Sequence, residues 1–229
     1  YVLTPDRRKL VWGMRLDGLD DYIEAVQAAA GEAREGLVVR LGVEADFIPE
    51  TIGEVKGIIS MHPFDYIIGS VHILDGFPID GHPEDWEPLT VAQRDDVVRG
   101  YWDRVRQMAS SGVFDIVGHL DLTKKFGFRP TIDISAQVSA ALDAIAGSGM
   151  AVEVNTSGWF VPAAEVYPEP SILRGCFERG IPVVVTADAH NPANLSRGFD
   201  DAYQLIREIG FTQVASYAGR QRRLSLIDH

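Results

Sequence analysis

The chain has 229 residues, 46% of them hydrophobic and 24% charged, which is a globular composition and excludes wholesale disorder. Its 21 basic and 33 acidic residues leave a formal charge of −12, which argues against a nucleic-acid surface, because phosphate backbones demand clustered cations. The single cysteine, Cys176, excludes an internal disulfide framework and suits a reducing compartment. No apolar run approaches a membrane span, and residues 1–12 carry Arg7, Arg8 and Lys9 without an apolar signal core. The expectation is a cytoplasmic protein with no membrane partner. The first residue is not Met, and the expectation is that Tyr1 marks a truncation.

In chain order, 19–35 reads as a helix rich in Ala and Glu, and 38–47 (VVRLGVEADF) as a strand. A second strand, 65–72 (DYIIGSVH), leads into a long loop over 73–88 that holds Gly76, Pro78, Gly81, Pro83 and Pro88. Loops of that length usually cover or contact a substrate. A helix over 90–110 opens on Thr90 as N-cap and keeps Val97, Tyr101, Val105 and Met108 at helical spacing. Then come a strand at 114–119 (FDIVGH), a helix at 135–146 and a strand at 150–156 (MAVEVNT). A helix at 171–179, a strand at 182–190 (PVVVTADAH) and a helix at 192–209 complete the strong signals. Gly180 and Gly210 stand where left-handed caps are expected. Residues 212–217 and 223–227 are weaker strand candidates.

Strands alternating with helices imply βαβ units and a parallel sheet. Seven strands on one rhythm favour a barrel-like α/β fold, read as a single domain over 1–229. In such folds the active site lies at the C-terminal ends of the strands. Glu44 closes the first run, His72 the second and His119 the third; Asn155 follows the fourth, and Asp188 and His190 end the fifth. Carboxylate and imidazole ligands are what Zn²⁺, Mn²⁺ or Fe²⁺ bind. Taken singly, each has a plainer role: a hydrogen-bonded core histidine, an ion-pair glutamate, an aspartate capping a turn. Jointly they are harder to explain that way, because independent caps have no reason to occupy equivalent strand ends. Strand alternation would turn Asp188 and His190 to one side together. His62, His82 and His229 fall in loops or at the tail and are left out of the site.

At these residues the sequence resembles the polymerase and histidinol phosphatase (PHP) superfamily, and within it the histidinol-phosphatases. The motifs are LGVEAD, DYIIGSVHILDGFPID, GHLDLTKKFG, EVNTSGW and VTADAHNPANLSRGFDDA, and the resemblance covers about 37–209. It implies a distorted, TIM-like (β/α)7 barrel with a trinuclear metal site at the strand ends. By the same resemblance Glu44 bridges two metals, His72 and His119 ligate one of them, Asp188 the other, and His190 the third. The family's first motif, His-x-His, and a following Glu-His strand end have no counterpart, since no histidine precedes Glu44. The expectation is that these segments, two strands with four ligands, are missing from before Tyr1.

The expected reaction is hydrolysis of L-histidinol phosphate in histidine biosynthesis, with hydroxide generated at closely spaced ions. Asp188 and His190 are the candidate catalytic pair. A dianionic ester meeting a −12 protein needs local positive charge, and Arg197 and Lys125 are the candidate phosphate contacts. Arg197 could equally be a surface residue at a helix start, and Lys124 or Lys125 could be solvated. Asp75 and Asp80 in the long loop are candidates for the substrate's ammonium. Two other readings stay open: a PHP-type phosphoesterase acting on another phosphate monoester or nucleotide, and a non-catalytic PHP-like binding protein.

Overall fold

The computed structural model describes residues 13–227. The readings made for residues 1–12 and for His229 lie outside the described residues. The chain opens with α1 (Leu19–Glu32), β1 (Gly42–Asp46), α2 (Ile52–Ser60) and β2 (Tyr66–Ser70). A small insertion follows, with β3 (Ile73–Leu74), β4 (Phe77–Pro78) and α3 (Pro83–Trp86). After it come α4 (Val91–Ser110), β5 (Ile116–Val117), α5 (Ser135–Ser148), β6 (Ala151–Asn155), α6 (Pro170–Glu178) and β7 (Val183–Thr186). The chain ends in α7 (Phe199–Ile209), β8 (Gln213–Ala218) and β9 (Gln221–Leu226).

The sheet is parallel throughout, in the order β1-β2-β5-β6-β7. Its strands are short and rich in Val and Ile, and Ile67, Val152, Val154 and Val183 are fully buried. Burial on both faces is what a parallel sheet covered by helices requires. α4 forms where the sequence places it. Thr90 Oγ1 accepts the Gln93 N–H at 3.3 Å, and Gln93 Oε1 accepts the Thr90 N–H at 2.9 Å, a reciprocal cap. Val98, Tyr101, Trp102, Val105 and Met108 form its buried face. Each such side chain contributes about 1.5–3 kcal/mol by leaving water. Gly69 on β2 leaves room for Phe114: a Cβ there would lie 2.5 Å from the ring.

The structure departs from the sequence reading in four places. The α/β fold with a parallel sheet is as expected and all seven expected strands form, but they do not keep one rhythm. The parallel sheet has five strands, and the two weak candidates become β8 and β9, paired antiparallel with each other. The two-residue Gly219–Arg220 turn between them is too short for the crossover that a parallel pair needs. The helix expected over 192–209 is split into a 3₁₀ turn at Pro192–Asn194 and α7. Gly198, at φ +78°, breaks it. α2 went unread, and the long loop is in fact a hairpin and a short helix. That loop is anchored by Trp86, which is fully buried, donates Nε1–H to the Ile79 carbonyl at 2.8 Å and stacks on Phe128.

Candidate active site

A cleft of about 450 Å³ opens at the C-terminal ends of the parallel strands. Glu44, Asp46, His72, His119, Asp188 and His190 all line it. Their convergence is not a matter of level strand ends. Glu44 sits in the middle of β1, opposite Ile68, which is in turn opposite Ile116. His72 lies four residues beyond Ile68, and His119 three beyond Ile116. Only a twisted, curling sheet brings such staggered positions to one place.

Three of the predicted residues meet closely. The ligand atoms of Glu44, His72 and His119 lie within 4.8 Å of one another. His72 Nε2 and His119 Nε2 are 3.0 Å apart, His119 Nε2 is 3.0 Å from Glu44 Oε1, and His72 Nε2 is 3.5 Å from it. Donor atoms sharing a tetrahedral cation at about 2.1 Å stand about 3.4 Å apart, so this triangle fits one divalent ion. The donor chemistry agrees. His72 Nδ1 faces Asp46 Oδ1 at 2.9 Å, so Nδ1 carries the proton and Nε2 presents a lone pair when the ring is neutral. Asp46 also accepts the His72 backbone N–H at 2.9 Å, and Ser70 Oγ donates to Glu44 Oε1 at 2.6 Å. His72 and Glu44 are thus each held from behind.

The side chains of the cluster act on one another's charge. Burial works against charge on Glu44, yet the His119 hydrogen bond, the two imidazoles and Ser70 hold it far below the usual carboxylate range. Burial favours a neutral His72, but the Asp46 charge and hydrogen bond, with Glu44, lift its pKa to about 10. His119 is raised as well, with Glu44 outweighing burial.

Asp188 and His190 line the same cleft but stand outside that triangle. The alternation argument for them fails. β7 ends at Thr186, and Asp188 has φ +46°, so the pair sits on a turn and not on a strand. Asp188 Oδ2 is held by Asn155 Nδ2 at 3.3 Å, and the His190 ring is exposed, with Nδ1 3.0 Å from the Asp188 carbonyl. Asp46 and Glu153 were missed by the sequence reading. Both lie two residues from a singled-out position, on the same strand face as Glu44 and Asn155, and that spacing was the available signal.

Arg197 and Lys125 both line the cleft. The Arg197 guanidinium lies 3.8 Å over the Phe160 ring, and its Nε is buried with no hydrogen-bond partner among the described residues. Lys125 Nζ donates to the Asp80 carbonyl at 2.9 Å and lies 3.4 Å from its carboxylate. Lys124 is buried away from the cleft against Asp121 and Glu165. Of the two loop acids, Asp80 lines the cleft; Asp75 is exposed and paired with Arg104 at 2.7 Å, which removes it from the substrate candidates.

A parallel α/β sheet with carboxylate and imidazole donors gathered at its C-terminal edge defines a metal-dependent hydrolase-type centre. The PHP domain profile matches residues 10–157, and the chain belongs to the PHP domain family. It is 43% identical over 199 residues to a probable histidinol-phosphatase of Deinococcus radiodurans, covering 87% of this chain and 75% of that protein. It is 29% identical to a histidinol-phosphatase of Bacillus subtilis, covering 80% of this chain and 74% of that one. Among solved structures, the histidinol phosphate phosphatase of Lactococcus lactis superposes with a TM-score of 0.77 at 21% identity, over 90% of this chain and 79% of that one. That protein was crystallised with zinc, L-histidinol and phosphate.

Proposed function

We propose that this chain hydrolyses L-histidinol phosphate to L-histidinol and inorganic phosphate, a metal-dependent phosphoric monoester hydrolysis within histidine biosynthesis. The observation that carries the reading is the Glu44–His72–His119 triangle at the floor of the cleft, in a chain 43% identical to a probable histidinol-phosphatase. The zinc, histidinol and phosphate of the Lactococcus relative support a small phosphate ester as substrate and divalent ions as cofactors.

Glu44, His72 and His119 would hold one ion, with Asp188 and His190 serving others, three per full-length chain drawn from zinc, manganese or iron. When bound, such ions supply Lewis acidity, neutralising phosphoryl charge and lowering the pKa of water. The chain's own residues do the rest. Asp46 fixes the His72 tautomer and Ser70 fixes the Glu44 rotamer. Asn155 aims the Asp188 carboxylate. His190 keeps its Nδ1 proton on the Asp188 carbonyl, which leaves the Nε2 lone pair as its donor to an ion. Arg197 offers its guanidinium and Lys125 its ammonium to the phosphate, and Asp80 offers a carboxylate to the substrate's ammonium.

The test is a substrate panel on the purified full-length protein: histidinol phosphate, nucleotides and sugar phosphates. The expected result is the highest kcat/KM on histidinol phosphate, abolished by a chelator and restored by a divalent ion. Preference for a nucleotide or a sugar phosphate would overturn the assignment.

A further inference from the structure

β6 carries a carboxylate with no part in the chemistry above. Glu153 is 4% exposed, and all three of its hydrogen-bond partners are neutral donors. Its Oε2 accepts the His119 backbone N–H at 2.5 Å and Asn155 Nδ2 at 3.1 Å, and its Oε1 accepts Thr186 Oγ1 at 2.7 Å. Among the described residues no Lys or Arg forms an ion pair with it. A buried carboxylate lacking a countercharge is costly, and a neutral side chain would fill the space with less penalty.

What the three donors share is their place in the sheet. His119 follows β5 and belongs to the triangle. Thr186 ends β7, two residues before Asp188. Asn155 ends β6 and gives a second bond to Asp188 Oδ2 at 3.3 Å. A single carboxylate therefore ties together the strand ends from which both halves of the ligand set arise. The cleft above it gathers Glu44, Asp46, Asp80 and Asp188, and among the described residues the side chain that most offsets the Glu153 charge is His119, itself a candidate metal ligand.

We infer that Glu153 is a positioning residue of the metal centre: it holds the His119 and Asp188 halves in register, and its buried charge is balanced by the cations in the cleft. This rests on the metal-dependent reading above. It predicts that Glu153 stabilises the metal-loaded protein more than the metal-free one, which a plain structural strut would not do.

The experiment uses Glu153→Gln and Thr186→Val in the full-length protein. Zinc affinity is read by competition with a chromophoric chelator, and Tm is read with and without zinc. Gln preserves volume but turns an amide N–H₂ toward groups that are themselves donors. Zinc affinity is expected to fall about 10–100-fold in Glu153→Gln, the usual effect of losing an outer partner of a metal ligand. The zinc-loaded Tm falls by more than the metal-free Tm. Thr186→Val withdraws one donor and leaves the buried charge, so it lowers zinc affinity in smaller measure and lowers the metal-free Tm as well; its zinc affinity decides the matter alone if Glu153→Gln does not fold. Zinc affinity unchanged in the variants, or a Tm loss in Glu153→Gln that is equal with and without zinc, overturns the inference while leaving the phosphatase reading intact. A wild-type protein that binds neither zinc, manganese nor iron overturns both.

Discussion

Asp46→Asn isolates the charge behind His72. Asp46 is 4% exposed, and its Oδ1 accepts the backbone N–H and the Nδ1–H of His72, each at 2.9 Å. Asn keeps an acceptor of the same shape and removes only the charge. In the metal-free protein burial disfavours a charged His72, yet Asp46 and then Glu44 lift its pKa from 6.5 to about 10. A pKa raised on folding gives stability that is fully present below about pH 6.5 and is lost as pH climbs through about 10. The whole rise corresponds to about 5 kcal/mol at most. Asp46 is the largest raising influence, so about 3 kcal/mol leaves with its charge. For a chain of this size each kcal/mol moves Tm by about 2–4 °C. The metal-free variant should therefore melt roughly 6–12 °C below wild type at pH 6, with the gap closing above about pH 10. Calorimetry in the presence of a chelator, at pH values spanning that range, reads it directly. A gap that is constant with pH, or that widens as pH rises, would refute the reasoning.

Three further outcomes can be checked on the same protein. Asp80→Asn should raise KM for histidinol phosphate more than for a simple aryl phosphate, because only the former carries an ammonium; equal changes would remove Asp80 from substrate recognition. Arg197→Lys keeps the charge but loses the planar fork, so KM should rise about tenfold with kcat little changed. Unaltered steady-state kinetics would leave Arg197 as a packing partner of Phe160 and no more. Gly69→Ala would place a methyl 2.5 Å from Phe114 and 2.9 Å from Met108 Sδ, and should cost about 1–3 kcal/mol in a denaturant titration. A stability equal to wild type would mean that the β2–β5 seam yields more readily than its packing suggests.

The sequence alone determined the strands of the parallel sheet and the kinds of donor gathered at their ends. Short Val- and Ile-rich runs alternating with capped amphipathic helices can only make βαβ units, and β1, β2, β5, β6 and β7 all fall inside the expected spans. Glu44, His72, His119, Asp188 and His190 were readable because each stands in or just after one of those runs. Local pattern does not carry pairing direction or the path of a turn, however. The last two strands, Gln213–Ala218 and Gln221–Leu226, look like their parallel predecessors until a two-residue turn folds them onto each other. Asp188, at φ +46°, left the strand whose alternation was used to aim it. Tertiary structure alone decided that Glu44, from mid-strand, meets histidines three and four residues past the level of its own neighbours, and that Asp46 and Glu153 stand behind them. Sheet twist and burial are properties of the assembled strands. They set which carboxylate lies 3 Å from which imidazole, and no single run of residues encodes them.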